Sequence, residues 1–336
     1  MDMNRKEQIR WGAIWLTVAV VAVAAGLLIR ARRQAALTTD PRTGELGGAF
    51  RLDVSALNRI DPGLVIGAEK EPIPALVESP HALALDAAGR LIVGGENEIA
   101  VIETNGVVRT RLPMPFAVRC VAADEDGTLY AGHVDHVGIY RTNGVPAVQW
   151  PSLGTNTVLT SIAVAGDNVW VADAGQRRVW RLDKQGRVLS RIGDKDDGKG
   201  GFIIPSPHFD LALGSVDELW VVDPGRHMVI SFGRDGARRS AWGRGGADPE
   251  GFSGCCNPTD IAIRTDGSFV TSEKGLVRVK LYTPAGALMG VVAGPDKFDA
   301  EVRGLDLVVD GQGRILVLDP VRVQVRVFEV NVQTNK

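Results

Sequence analysis

The sequence predicts an all-β fold, a six-bladed β-propeller, preceded by one N-terminal transmembrane helix. Short segments of alternating apolar residues recur six times, roughly every 40 to 50 residues, which is the spacing of propeller blades. Tight-turn pairs such as Asp-Gly and Asn-Gly separate the strands within these repeats. One apolar run, Trp11 to Ile29, is close to the roughly 20 residues that cross a bilayer as a helix.

The apolar run divides the N-terminal part of the chain into a flank (1–10), a transmembrane anchor (11–29) and a polar tether (30–49). Basic residues lie on both sides of the run, so the positive-inside rule does not fix its orientation: Arg5, Lys6, Arg10, Arg30, Arg32 and Arg33. A cleaved signal peptide is the alternative, but its apolar core normally has about 7 to 15 residues. We expect an uncleaved anchor with the propeller on the extracytoplasmic, periplasmic side, because a short anchor before a large C-terminal domain commonly serves as an export signal.

The propeller is expected over residues 50–332. Its third repeat shows the four-strand pattern, because TSIAVA turns through GDN into VWVADAG and RRVWRLD turns through KQG into RVLSRIG. The sixth repeat ends after its third strand, QVRVFEV, and lacks a fourth. We expect the closing strand from residues 50–69, where LVIGAE could pair as the outer strand and remove an exposed sheet edge.

These repeats resemble the NHL repeat. The resemblance is carried by NPTDIAIRTDG (257–267), SPHALALDAAG (79–89) and NVWVADAGQRRV (168–179), and it covers about residues 80 to 330. It implies a six-bladed propeller, and the whole chain is similar to membrane-anchored bacterial NHL-repeat proteins. No activity follows, since propellers serve both as enzymes and as binding platforms.

Strand connectivity predicts one functional face. In an antiparallel blade, the loop that leads into the first strand, here called the entering loop, opens on the same side as the loop joining strands two and three. Three entering loops are long, 193–208, 243–258 and 293–304, and we expect them to wall one half of the channel mouth. Four basic candidates lie in the entering loops beside acidic residues and suit a protein partner or an anionic or zwitterionic small ligand, with simple charge balancing as the alternative: His81, Arg119, His208 and Arg303.

Three aspartates occupy equivalent positions at the start of the innermost strands of the last three repeats: Asp210, Asp260 and Asp306. Carboxylates that converge on the axis are the oxygen ligands that Ca²⁺ takes, and six-bladed lactonases use such an axial cation. The alternative is that each aspartate accepts backbone N–H bonds within its own loop.

Cys255 and Cys256 are adjacent in a chain with three cysteines. Zinc and iron–sulfur sites usually space their thiolates by two or more residues, which disfavours a metal centre here. The pair forms either a vicinal disulfide in an oxidising compartment or two ordinary reduced thiols. Some quinone-dependent propeller dehydrogenases carry such a ring against the cofactor. We expect the pair at the channel mouth, immediately before Asp260.

These features favour a membrane-tethered binding scaffold that acts through the long-loop face. The alternative is a propeller enzyme with an axial Ca²⁺ or a quinone, lactonase-like or dehydrogenase-like. The chain contains no G-x-S-x-G elbow, phosphate-binding Walker loop or C-x-x-C-H haem motif. A formal net charge of -2 and a membrane anchor argue against nucleic acid as a partner.

Overall fold

A computed structural model of the protein describes residues 59–141, 146–193, 201–214 and 218–331. All of them belong to the second of the two units into which the chain divides, Ser55–Lys336. The flank, the anchor at 11–29, the tether and residues 50–58 lie outside the described residues. Within the described ranges, no helix is long and apolar enough to cross a membrane.

The described residues form six four-stranded antiparallel sheets, which confirms the predicted all-β six-bladed propeller. The first three blades follow one another along the chain. Blade 1 contains β2 (Ala82–Leu85), β3 (Leu91–Gly94), β4 (Glu98–Ile102) and β5 (Val108–Pro113). Blade 2 contains β6 (Cys120–Ala123), β7 (Thr128–Gly132), β8 (Val137–Arg141) and β9 (Pro146–Gln149). Blade 3 contains β10 (Leu159–Ala165), β11 (Asn168–Asp173), β12 (Arg178–Asp183) and β13 (Val188–Ile192).

The last three blades complete the ring. Blade 4 contains β14 (Leu211–Leu213), β15 (Glu218–Asp223), β16 (Met228–Gly233) and β17 (Arg238–Trp242). Blade 5 contains β18 (Asp260–Ile263), β19 (Phe269–Glu273), β20 (Arg278–Tyr282) and β21 (Leu288–Ala293). Blade 6 contains β22 (Asp306–Val309), β23 (Ile315–Asp319), β24 (Gln324–Val330) and, from the start of the propeller, β1 (Gly67–Pro74).

Burial changes from the inner to the outer strands of a blade. Every residue of β11 and of β23 is buried, because the second strand of a blade packs against neighbouring blades on both faces. The outermost strand β13 is mostly exposed or half-buried. The hydrophobic core therefore lies between the blades, in several clusters around the ring.

The closing strand includes only the last three residues of LVIGAE, from which we expect it, and extends further along the chain. β1 pairs antiparallel with β24, from Gly67 opposite Val330 to Pro74 opposite Gln324. The preceding residues are used differently: Pro62–Leu64 form a short 3-10 helix, and Val65 bridges to Val291 of blade 5. Pairing with β24 consequently begins only at Gly67.

A buried acid ends the second strand of several blades and holds the entering loop of its own blade. Asp173 accepts a hydrogen bond from the Val158 N–H at 3.0 Å, and Asp223 accepts one from the Ile203 N–H at 3.0 Å. In blade 5 Glu273 replaces the aspartate and accepts from the Ser253 N–H at 2.7 Å. All three acids are fully buried. These bonds fix the loops that surround the channel mouth.

Candidate functional site

The centre of the ring is a channel with a cavity of about 910 Å³. The innermost strand of every blade borders it, namely β2, β6, β10, β14, β18 and β22. Residues of the entering loops line the end of the channel that opens on the predicted functional face, here called the channel mouth. Seven of the predicted site residues border this cavity: His81, Arg119, His208, Asp210, Asp260, Arg303 and Asp306.

The three aspartates join neighbouring blades. Each accepts a hydrogen bond from a backbone N–H in the innermost strand of the next blade: Asp210 from Ile261 at 2.7 Å, Asp260 from Leu307 at 3.2 Å, and Asp306 from Leu83 at 2.6 Å. Ser161 occupies the corresponding place in blade 3, where its Oγ accepts from the Leu211 N–H at 3.4 Å. The aspartate side chains therefore connect successive blades around the axis.

All three aspartates have a raised pKa. Burial, followed by repulsion from Asp210, raises the pKa of Asp306 to about 8. Burial likewise raises the pKa of Asp210 to about 6, although the Ser161 hydroxyl and backbone N–H groups oppose the shift. The pKa of Asp260 is well above its ordinary value, because of burial and then repulsion from the other two acids. At neutral pH the channel floor therefore carries fewer than three negative charges, because Asp306 is largely protonated.

This arrangement does not provide the ligand set that Ca²⁺ takes. The ion prefers six to eight oxygen ligands, with ionised carboxylates among them. One oxygen of each aspartate already binds a backbone N–H, and protonation competes with metal binding. Across the described ranges, no group of three or more His, Cys, Asp or Glu side chains is arranged to hold a metal ion. We derive no chemical step through a cation.

The channel mouth carries exposed positive charge. Arg119 and Arg303 are exposed and border the cavity, together with the exposed Glu301. Arg303 donates to the Ala300 carbonyl at 3.0 Å, while the Arg119 guanidinium has no hydrogen bond or ion pair with any described residue. Two arginines beside one glutamate leave the mouth with a net positive charge.

The two histidines of the mouth are half-buried. His81 Nε2 lies 3.3 Å from Oε2 of Glu96. Burial, and secondarily the charge of Lys274, lowers the pKa of His208 to about 4. His208 is therefore neutral at physiological pH, and its imidazole can serve as a hydrogen-bonding group.

Exposed valines form an apolar rim beside these charges. Val134, Val158 and Val321 border the cavity, with exposed fractions of 55%, 36% and 43%. They come from loops of blades 2, 3 and 6 that open on the same face. Exposed apolar side chains that border a cavity can pack against the hydrocarbon part of a bound molecule. The valines were missed from the sequence, where only their position in loops of the predicted face could have indicated them.

The cysteine pair does not border the cavity. Cys255 and Cys256 lie in the entering loop 243–258, as the sequence indicates, but this loop contributes no residue to the cavity lining. Its carbonyl groups instead accept hydrogen bonds from three side chains of β20, the third strand of blade 5: Arg278, Lys280 and Tyr282. These bonds hold the loop over β20, away from the innermost strand.

The expected wall of three long loops is therefore only partly present. Loop 193–208 brings Pro207 and His208 to the cavity, and loop 293–304 brings Glu301, Arg303 and Gly304. Residues 194–200 of the first loop lie outside the described residues. The rest of the mouth is lined by shorter loops, including those that carry Arg119 and Val134.

No protein-family model matches the chain, and no curated protein matches it. Solved structures do. A streptogramin B lyase is similar with a TM-score of 0.56 and 11% identity, covering 81% of this chain and 100% of that chain. The chain is a six-bladed β-propeller.

Two further structures support the same architecture. The WD40 propeller domain of Doa1 matches with a TM-score of 0.54 and 13% identity, covering 74% of this chain and 78% of that chain. Virginiamycin B lyase from Staphylococcus aureus matches with a TM-score of 0.52 and 14% identity, covering 80% of this chain and 90% of that chain. At these identities the propeller's likeness to them shows the fold alone, and its assignment to the NHL family is not confirmed.

Proposed function

We propose that the protein is a membrane-tethered binding propeller with NHL-like repeats, and that its channel mouth binds a small amphipathic anion. One observation carries the proposal: a cavity of about 910 Å³ is bordered at its open end by an exposed arginine, Arg119, with no described partner for its charge. Small-molecule sites typically have about 300 to 1,000 Å³ and a few polar groups that orient the ligand.

The charge distribution favours an anion. Arg119 and Arg303 can each donate to a carboxylate, phosphate or sulfonate, and a guanidinium does so through two parallel bonds. The acids on the channel floor oppose this attraction less than three full negative charges would, because burial keeps Asp306 largely protonated at neutral pH. The neutral His208 adds a further hydrogen-bonding group.

The apolar rim favours a ligand with a hydrocarbon or aromatic portion. Val134, Val158 and Val321 would lose exposed apolar surface when such a portion packs against them. Burial of apolar surface provides affinity, and the arginines select the charged end. An amphipathic anion satisfies both parts of the mouth.

An enzymatic role has less support. It rested on the aspartate trio and on the cysteine pair. The trio binds backbone N–H groups of neighbouring blades, and the pair does not border the cavity. A quinone bound in the channel would therefore not lie against Cys255 and Cys256.

The membrane tether and its orientation are part of the proposal. The apolar run from Trp11 to Ile29 supports a single anchor, and the large C-terminal propeller supports an extracytoplasmic location. Protease digestion of intact spheroplasts tests both. The propeller should be degraded without cell lysis, whereas protection until lysis would place it in the cytoplasm.

Calorimetric titration of the full-length protein in detergent tests the ligand class. The probes are hexanoate, phenylpropionate and hexyl phosphate, each paired with an uncharged counterpart of the same carbon skeleton. We expect the anions to bind more tightly than the neutral compounds, and R119A to weaken anion binding about tenfold or more. R109A is the matched control, since Arg109 lies on the outer strand β5 and pairs with Glu103. Equal binding of charged and neutral probes would overturn the proposal.

A further inference from the structure

The cysteine pair is placed for reaction between its own thiols. Sγ of Cys255 lies 2.9 Å from Sγ of Cys256. This separation is within about 1 Å of the roughly 2.05 Å of a disulfide bond. Both cysteines are free thiols in the structure. Ring closure requires the two sulfur atoms to approach by about a further 1 Å, with the strain that a bond between adjacent residues imposes.

The two thiols differ in accessibility. Cys255 is exposed, whereas Cys256 is only 5% exposed. A soluble reagent therefore reaches Cys255 first, and Cys256 reacts through its neighbour. An exposed attacking thiol beside a sheltered resolving thiol is the arrangement that thiol–disulfide exchange requires.

The surrounding loop is held firmly. The Asn257 side chain donates to the carbonyls of Ser253 and Lys274, at 2.7 and 3.0 Å, and accepts from the Lys274 N–H at 2.9 Å. The Lys274 ammonium donates to the Ser206 hydroxyl at 2.7 Å. The hydrogen bond shared with Cys256 raises the pKa of Cys255, and the positive charge of Lys274 partly opposes that shift. The loop thus keeps both sulfur atoms together, while Lys274 offsets part of the raised pKa of Cys255.

We propose that Cys255 and Cys256 form a reversible dithiol–disulfide pair that exchanges with small soluble disulfides. This activity belongs to the loop over β20 and does not depend on ligand binding at the channel mouth.

The exchange proceeds in two balanced steps. The Cys255 thiolate attacks one sulfur of a disulfide R–S–S–R, which forms a mixed disulfide and releases one thiolate that takes up a proton. The Cys256 thiolate then attacks Sγ of Cys255, closes the ring and releases the second thiolate. The protein loses two protons and two electrons, and R–S–S–R becomes two molecules of R–SH.

The ring should be easily reduced again. Adjacent Cα atoms lie about 3.8 Å apart across a trans peptide, below the roughly 4.4 to 6.8 Å usual for disulfides. Strain of this kind makes a disulfide labile, and labile disulfides are the regulatory or catalytic ones. The pair therefore suits repeated cycling better than permanent cross-linking.

Differential alkylation with mass spectrometry tests the proposal on the full-length protein. The reduced protein is incubated in its folded state with oxidised glutathione, quenched with acid, unfolded, alkylated and digested. We expect the peptide that contains Cys255 and Cys256 to lose both alkylatable thiols and to be lighter by two hydrogen atoms. Dithiothreitol should restore both thiols. Cys120 is the internal control, because it is buried and burial raises its pKa, so its thiol should stay reduced during the glutathione incubation and be alkylated after unfolding.

Two variants separate the steps. C256S should stop at the glutathione mixed disulfide on Cys255, and C255S should remain unmodified because both of its remaining thiols, those of Cys120 and Cys256, are buried. Three outcomes of the wild-type experiment would overturn the proposal: two thiols still alkylatable, a stable mixed disulfide without ring closure, or disulfide-linked dimers. None of these outcomes bears on anion binding, so the failure of one proposal is distinguishable from failure of the other.

Discussion

Oδ2 of Asp306 in the sixth blade accepts a 2.6 Å hydrogen bond from the backbone N–H of Leu83 in the first blade. The same two blades are brought together at the outside of the ring by β1, which completes the sixth sheet and then leads into the first blade. The propeller is therefore closed twice, once at the axis by a side chain and once at its periphery by a strand.

Loss of the axial bond should destabilise the ring. In D306A the Leu83 N–H would lose its acceptor within a largely buried region, which typically costs about 1 to 3 kcal/mol. D306N keeps an acceptor oxygen of the same shape and should remain close to wild type. Urea denaturation followed by circular dichroism measures both. Equal stability of D306A and wild type would show that the bond contributes nothing to closure.

The raised pKa values of the aspartates predict a falling stability as pH rises. In the folded state Asp306 has a pKa of about 8, above the ordinary value of 3.8, and Asp260 is also raised. The folded protein therefore binds more protons than the unfolded chain between about pH 4 and 8, so this contribution decreases across that window. Thermal unfolding at pH 5 and 8 should show the loss, and D306N should reduce it. A stability that rises over this range in wild type, with no change in D306N, would contradict the prediction.

Glu273 is the counterion shared by two fully buried cations. Its carboxylate lies 2.6 Å from Nε of Arg278 and 3.0 Å from Nζ of Lys280. E273A would leave both cations buried without their counterion, which typically costs about 3 to 5 kcal/mol. E329A is the control, because Glu329 pairs with Lys70 in a half-exposed position where such pairs contribute about 0 to 1 kcal/mol. Chemical denaturation should separate the two variants clearly, and a similar small loss in both would refute the buried role of Glu273.

The closing strand should be required for a stable propeller. Removal of the chain before residue 75 deletes β1 and exposes the whole edge of β24. We expect aggregation or loss of cooperative unfolding, measured by size-exclusion chromatography and calorimetry. The control is a truncation that begins at residue 59 and keeps β1. A soluble, cooperatively folding protein that begins at residue 75 would contradict this role.

The fold was readable from the sequence because each blade repeats the same local chemistry. Asp-Gly turns are one example: Asp126 and Asp266 accept the N–H two residues later, and Gly127 and Gly267 adopt φ of +82° and +81°. Local signals of this kind recur along the chain. The closing strand was predicted less accurately. The residues just before Gly67 contact blade 5 instead of β24, and no local sequence pattern indicates this long-range contact.

The candidate site could be predicted from the sequence only in part. The equivalent positions of Asp210, Asp260 and Asp306 were visible, but their partners lie 51, 47 and 223 residues away, so their blade-to-blade role was not. The displacement of the cysteine loop from the channel likewise depends on β20 side chains that bind its carbonyl groups. Long-range contacts of this kind have no local pattern in sequence.

The most direct test of the binding function is a calorimetric comparison of wild type, R119A, R303A and R109A with the anionic and neutral probes. We expect an amphipathic anion to bind wild type and R109A alike, and to bind R119A and R303A about tenfold or more weakly. The uncharged counterparts should distinguish none of the four proteins. Absence of binding by every anion, or anion binding that is unchanged in both mouth variants, would contradict an anion site at the channel mouth.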